Sequence, residues 1–192
     1  MTGSFLIAGL GNADPGYGQT RHNAGFWFLD ALLRSSEASL RLQPRLSARV
    51  CRTRLFGADC VLMKPDTFMN QSGRAVRAVM DYYAVEPAGL LIAYDELDLP
   101  PGTARLKVGG GHGGHNGLRD VFRHLESTDF MRLRIGIGHP GHKDAVTGYV
   151  LSRPPADQLL AIMQAIDAAV AVMPDLLAGR LEAATKTLHS RD

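Results

Sequence analysis

The chain has 192 residues, enough for one compact domain with a sizeable core, and it is 45% hydrophobic and 21% charged, as ordinary globular proteins are. A formal net charge of +2 does not announce a nucleic-acid binder by bulk charge. No stretch approaches the roughly 18 uninterrupted apolar residues of a membrane helix, and no internal repeat stands out.

FLIAGL (5–10) reads as a buried strand, not as a signal peptide, because no basic segment precedes it. The turn-rich GNADPGYG follows. NAGFWFLDALLRSS then carries Phe26, Leu29, Leu32 and Leu33 at helical spacing. Residues 47–63 predict two strands joined around Gly57-Ala58-Asp59. Phe68 to Ala84 predicts a helix with Val76, Val79, Met80 and Tyr83 on one stripe. LLIAYDEL (90–97) is a strand that runs into acids, and TARLKV (103–108) is another. A helix is expected over Gly117–Leu125, a strand over 131–138, and an amphipathic helix over 156–173 with Leu159, Met163, Ile166 and Val170 inward. A short final helix follows Pro174.

Alternating strands and helices argue an α/β fold. The expected hairpin makes the sheet mixed. The expectation is a single domain over 1–192: a twisted, mostly parallel mixed sheet flanked by helices on both faces, with a helical C-terminal part at about 156–190. In such sheets, sites gather where strands end and loops begin.

Several chemistries are poorly supported. Gly9-Leu10-Gly11 opens a near match to the dinucleotide fingerprint, but Asp14 and Pro15 stand where the third glycine and its helix should be. Phosphate-loop and nucleophile-elbow patterns are absent. Cys51 and Cys60 have no histidine nearby and read as reduced, inert thiols. His112/His115 and His139/His142 have ligand-like spacing but lie in loops with no completing cysteine or carboxylate, so no metal and no cofactor are expected. From Arg105 to Lys143, the basic residues Arg105, Lys107, Arg119, Arg123, Arg132, Arg134 and Lys143 outnumber the acids. They form either a solvated face or a phosphate-binding patch.

What remains is a polar set at loop and helix starts: Asn12, His22, Asn23, Asn70, Asp95, His115 and Asn116. Each alone reads as a cap or turn residue. If the strand ends converge, Asp95 accepts a hydrogen bond from one ring nitrogen of His22 and leaves the other as an acceptor, which makes a base for water without a serine.

The stretches TRHNAG (20–25), KPDTFMNQSG (64–73), DELDLPPG (95–102), GGGHGGHNGL (109–118) and RLRIGIGHP (132–140), in that order, make the chain similar to the bacterial peptidyl-tRNA hydrolase family nearly end to end. The resemblance implies a cytoplasmic, monomeric hydrolase of the ester between peptide and tRNA, recycling tRNA during translation, with no membrane partner. It implies His22 as the base on water and Asp95 as its support. Asn12 and Asn70 hold the peptide end, with Asn12 selecting blocked aminoacyl groups, and Asn116 orients water or stabilises the intermediate. Tyr17, Phe68 and His115 line the cleft for the tRNA 3′ end. Lys107 and Arg134, with Arg105 and Lys143 as additions, contact acceptor-stem phosphates. The family usually has proline directly after the asparagine; here it is Pro15, which predicts a different local turn. Rival readings are a non-catalytic RNA-binding relative of the same fold and a hydrolase of small esters. Composition also makes 139–155 a candidate gate over the cleft.

Overall fold

The computed structural model describes residues 4–190; residues 1–3 and 191–192 of the expected domain lie outside the described residues. The strands are β1 (Phe5–Gly9), β2 (Arg41–Gln43), β3 (Ala48–Leu55), β4 (Ala58–Pro65), β5 (Leu90–Glu96), β6 (Ala104–Val108) and β7 (Met131–Gly136). The helices are α1 (Ala24–Leu33), α2 (Ser72–Tyr83), α3 (Asn116–Leu125), α4 (Val146–Val150), α5 (Ala156–Ala171), α6 (Met173–Leu177) and α7 (Leu181–His189).

The sheet order is β2-β3-β4-β1-β5-β7-β6. The central strands β4, β1, β5 and β7 run parallel, and β2, β3 and β6 pair antiparallel at the edges. Every residue of β1 and β5 is buried, because helices cover both faces and no polar face has to meet water. One face, with Ile7, Leu62, Leu91 and Ile135, packs on α1, α5, α6 and α7. The other, with Leu6, Val61, Met63 and Ile92, packs on α2 and α3. Burying each such side chain stabilises the fold by about 1.5–3 kcal/mol.

Several boundaries differ from expectation. The hairpin turn is Phe56-Gly57, with φ of 50° and 86°, and Asp59 already sits in β4 opposite Arg54. Two positive φ values in a two-residue loop match the right-handed twist of the strands. In α1 the buried stripe is Phe28, Leu29 and Leu32, while Phe26 and Leu33 are half-buried. In α5 it is Ile162, Ala165, Ile166 and Ala169; Leu159, Met163 and Val170 flank it. The helix expected from Phe68 begins as a 3-10 turn at Met69–Gln71. Two helices rather than one follow Val172, and the short elements β2 and α4 had no counterpart in the sequence reading. The apolar stretch 156–177 is long enough by composition to cross a membrane, with a mean hydropathy of 1.6. Its inner face nevertheless belongs to the core, and the helix breaks at Val172.

Parallel strands share a direction, so β1, β4 and β5 deliver their following loops to one end of the sheet. Asn12, Phe68, Asn70 and Asp95 all arrive there.

Candidate active site

The site starts from a close approach. A Cβ on Gly25 would lie 2.4 Å from the Ala93 carbonyl oxygen and 2.5 Å from that of Leu10. Only glycine lets the first turn of α1 press onto the ends of β1 and β5. The preceding 3-10 turn, Arg21–Asn23, is thereby held against Asp95. His22 Nδ1 lies 3.0 and 2.9 Å from the two carboxylate oxygens of Asp95. Both residues are buried. An ionised carboxylate only accepts, so Nδ1–H donates and Nε2 is left as an acceptor.

His115 approaches Asp95 from another element. Its Nε2–H donates to Asp95 Oδ1 at 2.9 Å, while its Nδ1 accepts from the Leu118 N–H at the start of α3. The two imidazoles lie 5.1 Å apart, centroid to centroid. Burial pushes the Asp95 carboxyl upward, but the charges and hydrogen bonds of His22 and His115 outweigh it and hold it well below the usual carboxylate range. Burial likewise pushes His22 downward; the charge of Asp95 and its hydrogen bond prevail, so His22 sits above its ordinary value.

Asn12 is pinned by three contacts. Its Oδ1 accepts from the Met69 N–H at 2.7 Å. Its own N–H donates to Asn23 Oδ1, and its carbonyl accepts from Asn23 Nδ2. The Asn12 side-chain NH2 keeps no partner among the described residues. At the displaced proline, Asp14 caps a 3-10 turn by accepting from Gly16 N–H, with Pro15 in its first position. The anchoring of Asn12 runs through Met69 and Asn23 instead, so the turn does not set its aim.

The glycine-rich loop 109–115 joins β6 to α3. Gly109, Gly110, Gly113 and Gly114 have φ between 56° and 88°, the left-handed region that other residues avoid. A Cβ on Gly113 or Gly114 would meet no protein atom within 4 Å. Backbone conformation, rather than crowding by the fold, therefore requires glycine there.

These elements enclose a cleft of about 430 Å³. It brings together Asn12, Tyr17, His22, Phe68, Asn70, Asp95, His115 and Asn116, every cleft residue expected from the sequence. Asn70 and Asn116 are exposed, and their amides have no hydrogen-bond partner among the described residues. Phe68 is 58% exposed. Val146, Thr147, Val150 and Leu151, on and beside α4, form the facing wall. Part of the candidate gate is thus helical and lines the cleft.

Lys107 and Arg134 do not line the cleft. Lys107 is exposed on edge strand β6, beside a groove against α7. Arg134 Nε donates to Glu96 Oε2 at 2.9 Å, so any phosphate there competes with a carboxylate. Arg105 faces Arg134 across β6 and β7, and its Nη1 donates to the His189 carbonyl. Lys143 is exposed, ahead of α4. Cys51 and Cys60 are both free; burial raises both thiols, Cys60 to about 11, which leaves them protonated and inert.

Ligand-capable atoms of His22, Asp95 and His115 lie within 4.8 Å of one another. Both oxygens of Asp95 already accept imidazole N–H groups, so a cation would have to displace those protons. Arg21 and Asn23, which fasten the site from behind, were not given roles by sequence reasoning. Asn23 belongs to the polar set at loop and helix starts, where alone it reads as a turn residue; a buried arginine reads as a surface charge, so only adjacency to His22 marks Arg21.

Residues 6–192 match the family model described as peptidyl-tRNA hydrolase. A peptidyl-tRNA hydrolase of Acidithiobacillus ferrooxidans is 53% identical over 186 residues, covering 97% of this chain and 98% of that protein. One of Halorhodospira halophila is 51% identical over 185 residues, covering 96% and 95%. The crystal structure of peptidyl-tRNA hydrolase from Acinetobacter baumannii superposes with a TM-score of 0.96 at 43% identity, covering 100% of this chain and 97% of that one.

Proposed function

The chain belongs to the peptidyl-tRNA hydrolase family, which hydrolyses peptidyl-tRNA, and from that premise we propose that His22 is the base that takes a proton from the attacking water. The observation that carries the proposal is the Nδ1–H hydrogen bond of His22 to Asp95, which leaves Nε2 free to accept. Water positioned by Nε2 attacks the ester carbonyl. Asp95 stays ionised and stabilises the imidazolium as it forms. The tetrahedral intermediate collapses with loss of the 3′ oxygen of tRNA, which takes the proton back from His22, and peptide acid and free tRNA leave.

The free amides divide the remaining work. The NH2 of Asn12, whose Oδ1 is occupied by Met69, donates to the peptide end next to the ester. Asn70 joins it there, and Asn116 orients the water or donates to the developing oxyanion. Tyr17 and Phe68 offer ring surface to the 3′-terminal bases. His115 acts through Asp95 while also lining the cleft. Lys107 and Arg134, with Arg105 and Lys143, meet acceptor-stem phosphates away from the chemistry, which suits a substrate class that includes every tRNA. The protein works as a monomer in the cytoplasm, as a single domain, and needs no metal.

The test is release of N-acetyl-aminoacyl product from blocked aminoacyl-tRNA with EDTA present. Wild type is expected to turn over, and His22→Ala to lose turnover while still binding tRNA. EDTA-abolished turnover that added metal restores would overturn the metal-free mechanism. Near-normal turnover by His22→Ala would overturn the assignment of the base.

A further inference from the structure

Arg21 is 4% exposed and has no carboxylate partner among the described residues. Its Nη1 and Nη2 instead meet oxygens of Tyr149 in α4 and of the residues after it, while its buried Nε has no hydrogen-bond partner among the described residues. Nη1 lies 2.6 Å from Ser152 Oγ and 3.3 Å from the carbonyls of Tyr149 and Ser152. Nη2 donates to Gln158 Oε1 at 3.0 Å, and the Arg21 backbone N–H donates to the Ser152 carbonyl at 3.1 Å. The guanidinium carbon stacks 4.0 Å over the Tyr149 ring. Burying a cation without an anion is costly, and an apolar side chain would fill that space more cheaply. What the arginine provides that an apolar residue does not is a directed fork onto one segment.

That segment runs from Tyr149 at the end of α4 through Ser152 to Gln158 in the first turn of α5, and Val146, Thr147, Val150 and Leu151, on and beside α4, wall the cleft. The next residue after Arg21 is His22. Tyr149 carries a second tie, its hydroxyl donating to the Ile137 carbonyl at 2.6 Å, just beyond β7. α4 is only five residues long and is held by Val150 in the core with Val146, Tyr149 and Leu151 packed against it; the ties add directed hydrogen bonds to that non-directional packing.

We infer that Arg21 is a positioning residue: it clasps the α4 wall to the turn that bears His22, so that the wall and the base keep a fixed separation across the cleft. The inference rests on the reading of His22 as base and of the cleft as the substrate site. It concerns how the cleft is held in shape, not the proton transfer. Loss of the clasp frees α4 and weakens substrate capture, while the titration of His22 stays set by Asp95.

The test compares wild type, Arg21→Lys and Arg21→Ala at temperatures well below their melting points. Hydrogen exchange is read over 146–152, and KM, kcat and the pH profile are read on blocked aminoacyl-tRNA. Both variants are expected to speed exchange in 146–152 and to raise KM about ten-fold, the size of one charged hydrogen bond. kcat should fall less than KM rises, and the pH midpoint should stay where wild type has it. Arg21→Lys keeps the charge but not the fork, so it should not restore KM. Unchanged KM and exchange, with only a lower Tm, would overturn the clasp in favour of plain scaffolding. A shifted pH midpoint would overturn it in favour of direct action on His22. Should Arg21→Ala not fold, Ser152→Ala removes the shortest contact and should show the same split, smaller; no change there and none in Arg21→Lys would equally overturn the clasp. Failure of His22→Ala to lose turnover would instead sink the reading of the base and leave the exchange result standing.

Discussion

The floor of the cleft and its rim are built on opposite rules. On the floor, His22, Asp95 and His115 are largely buried and bonded to one another, and Asn12 is pinned through Asn23 and Met69. On the rim, Asn70, Asn116 and Phe68 are exposed and the two amides have no partner among the described residues. The floor holds groups whose proton positions matter, so each orientation is fixed before substrate arrives. On the proposed roles, the rim holds groups whose work is done only when substrate supplies their partners. Preorganised floor and waiting rim are what hydrolysis of a large, variable substrate requires.

Breaking the floor should cost most. His22→Ala is expected to lower kcat by on the order of 10²–10⁴-fold with tRNA affinity kept, measured by single-turnover release and filter binding. Asp95→Asn should cost on the order of 10²–10⁴-fold, because the amide no longer fixes the tautomer. It should also move the acidic limb of the pH–rate profile. A His22 base would work as neutral imidazole, and Asp95 holds its pKa up, so wild-type activity is expected to be lost as pH falls through that raised value. Removing the carboxylate should carry the limb to lower pH; a limb that stays in place would detach Asp95 from His22.

On the rim the losses should be smaller and differently divided. Asn116→Ala, if it removes a donor to the developing oxyanion, lowers kcat about 10²–10³-fold with KM little changed. A pure KM effect would return Asn116 to binding alone. Smallest of all, and farthest from the chemistry, Lys107→Ala should raise KM several-fold and reduce the salt slope of tRNA binding by about one. An unchanged slope would remove Lys107 from phosphate contact.

How far the sequence reveals this depends on the kind of residue. β5 is legible because LLIAYDE is apolar until it reaches the acids, and the loop glycines announce an unusual backbone. The inward face of α5 is not, because Ala165 and Ala169 register weakly as apolar yet are what lets the helix sit close to the sheet. β2 carries a single apolar residue, Leu42, and all three of its residues are exposed, so no periodicity marks it. At the site, residue types alone offered caps and turns; the family's five ordered motifs turned them into a set. The double use of Asp95, by His22 from a turn and His115 from a helix start, is a tertiary fact that spacing does not encode. Arg21 is hidden for a like reason: its charge suggests solvent, and only the fold shows its guanidinium buried against oxygens of Tyr149 and of the residues that follow α4.

The most direct test of the central claim is the protonation of His22 itself, read from long-range 15N–1H correlations of 15N-histidine-labelled protein across a pH titration. The account predicts that, above its pKa, His22 carries its proton on Nδ1 with Nε2 bare, and that its midpoint lies above an ordinary histidine's and drops in Asp95→Asn. A proton resident on Nε2, or a midpoint indifferent to Asp95, would contradict the account.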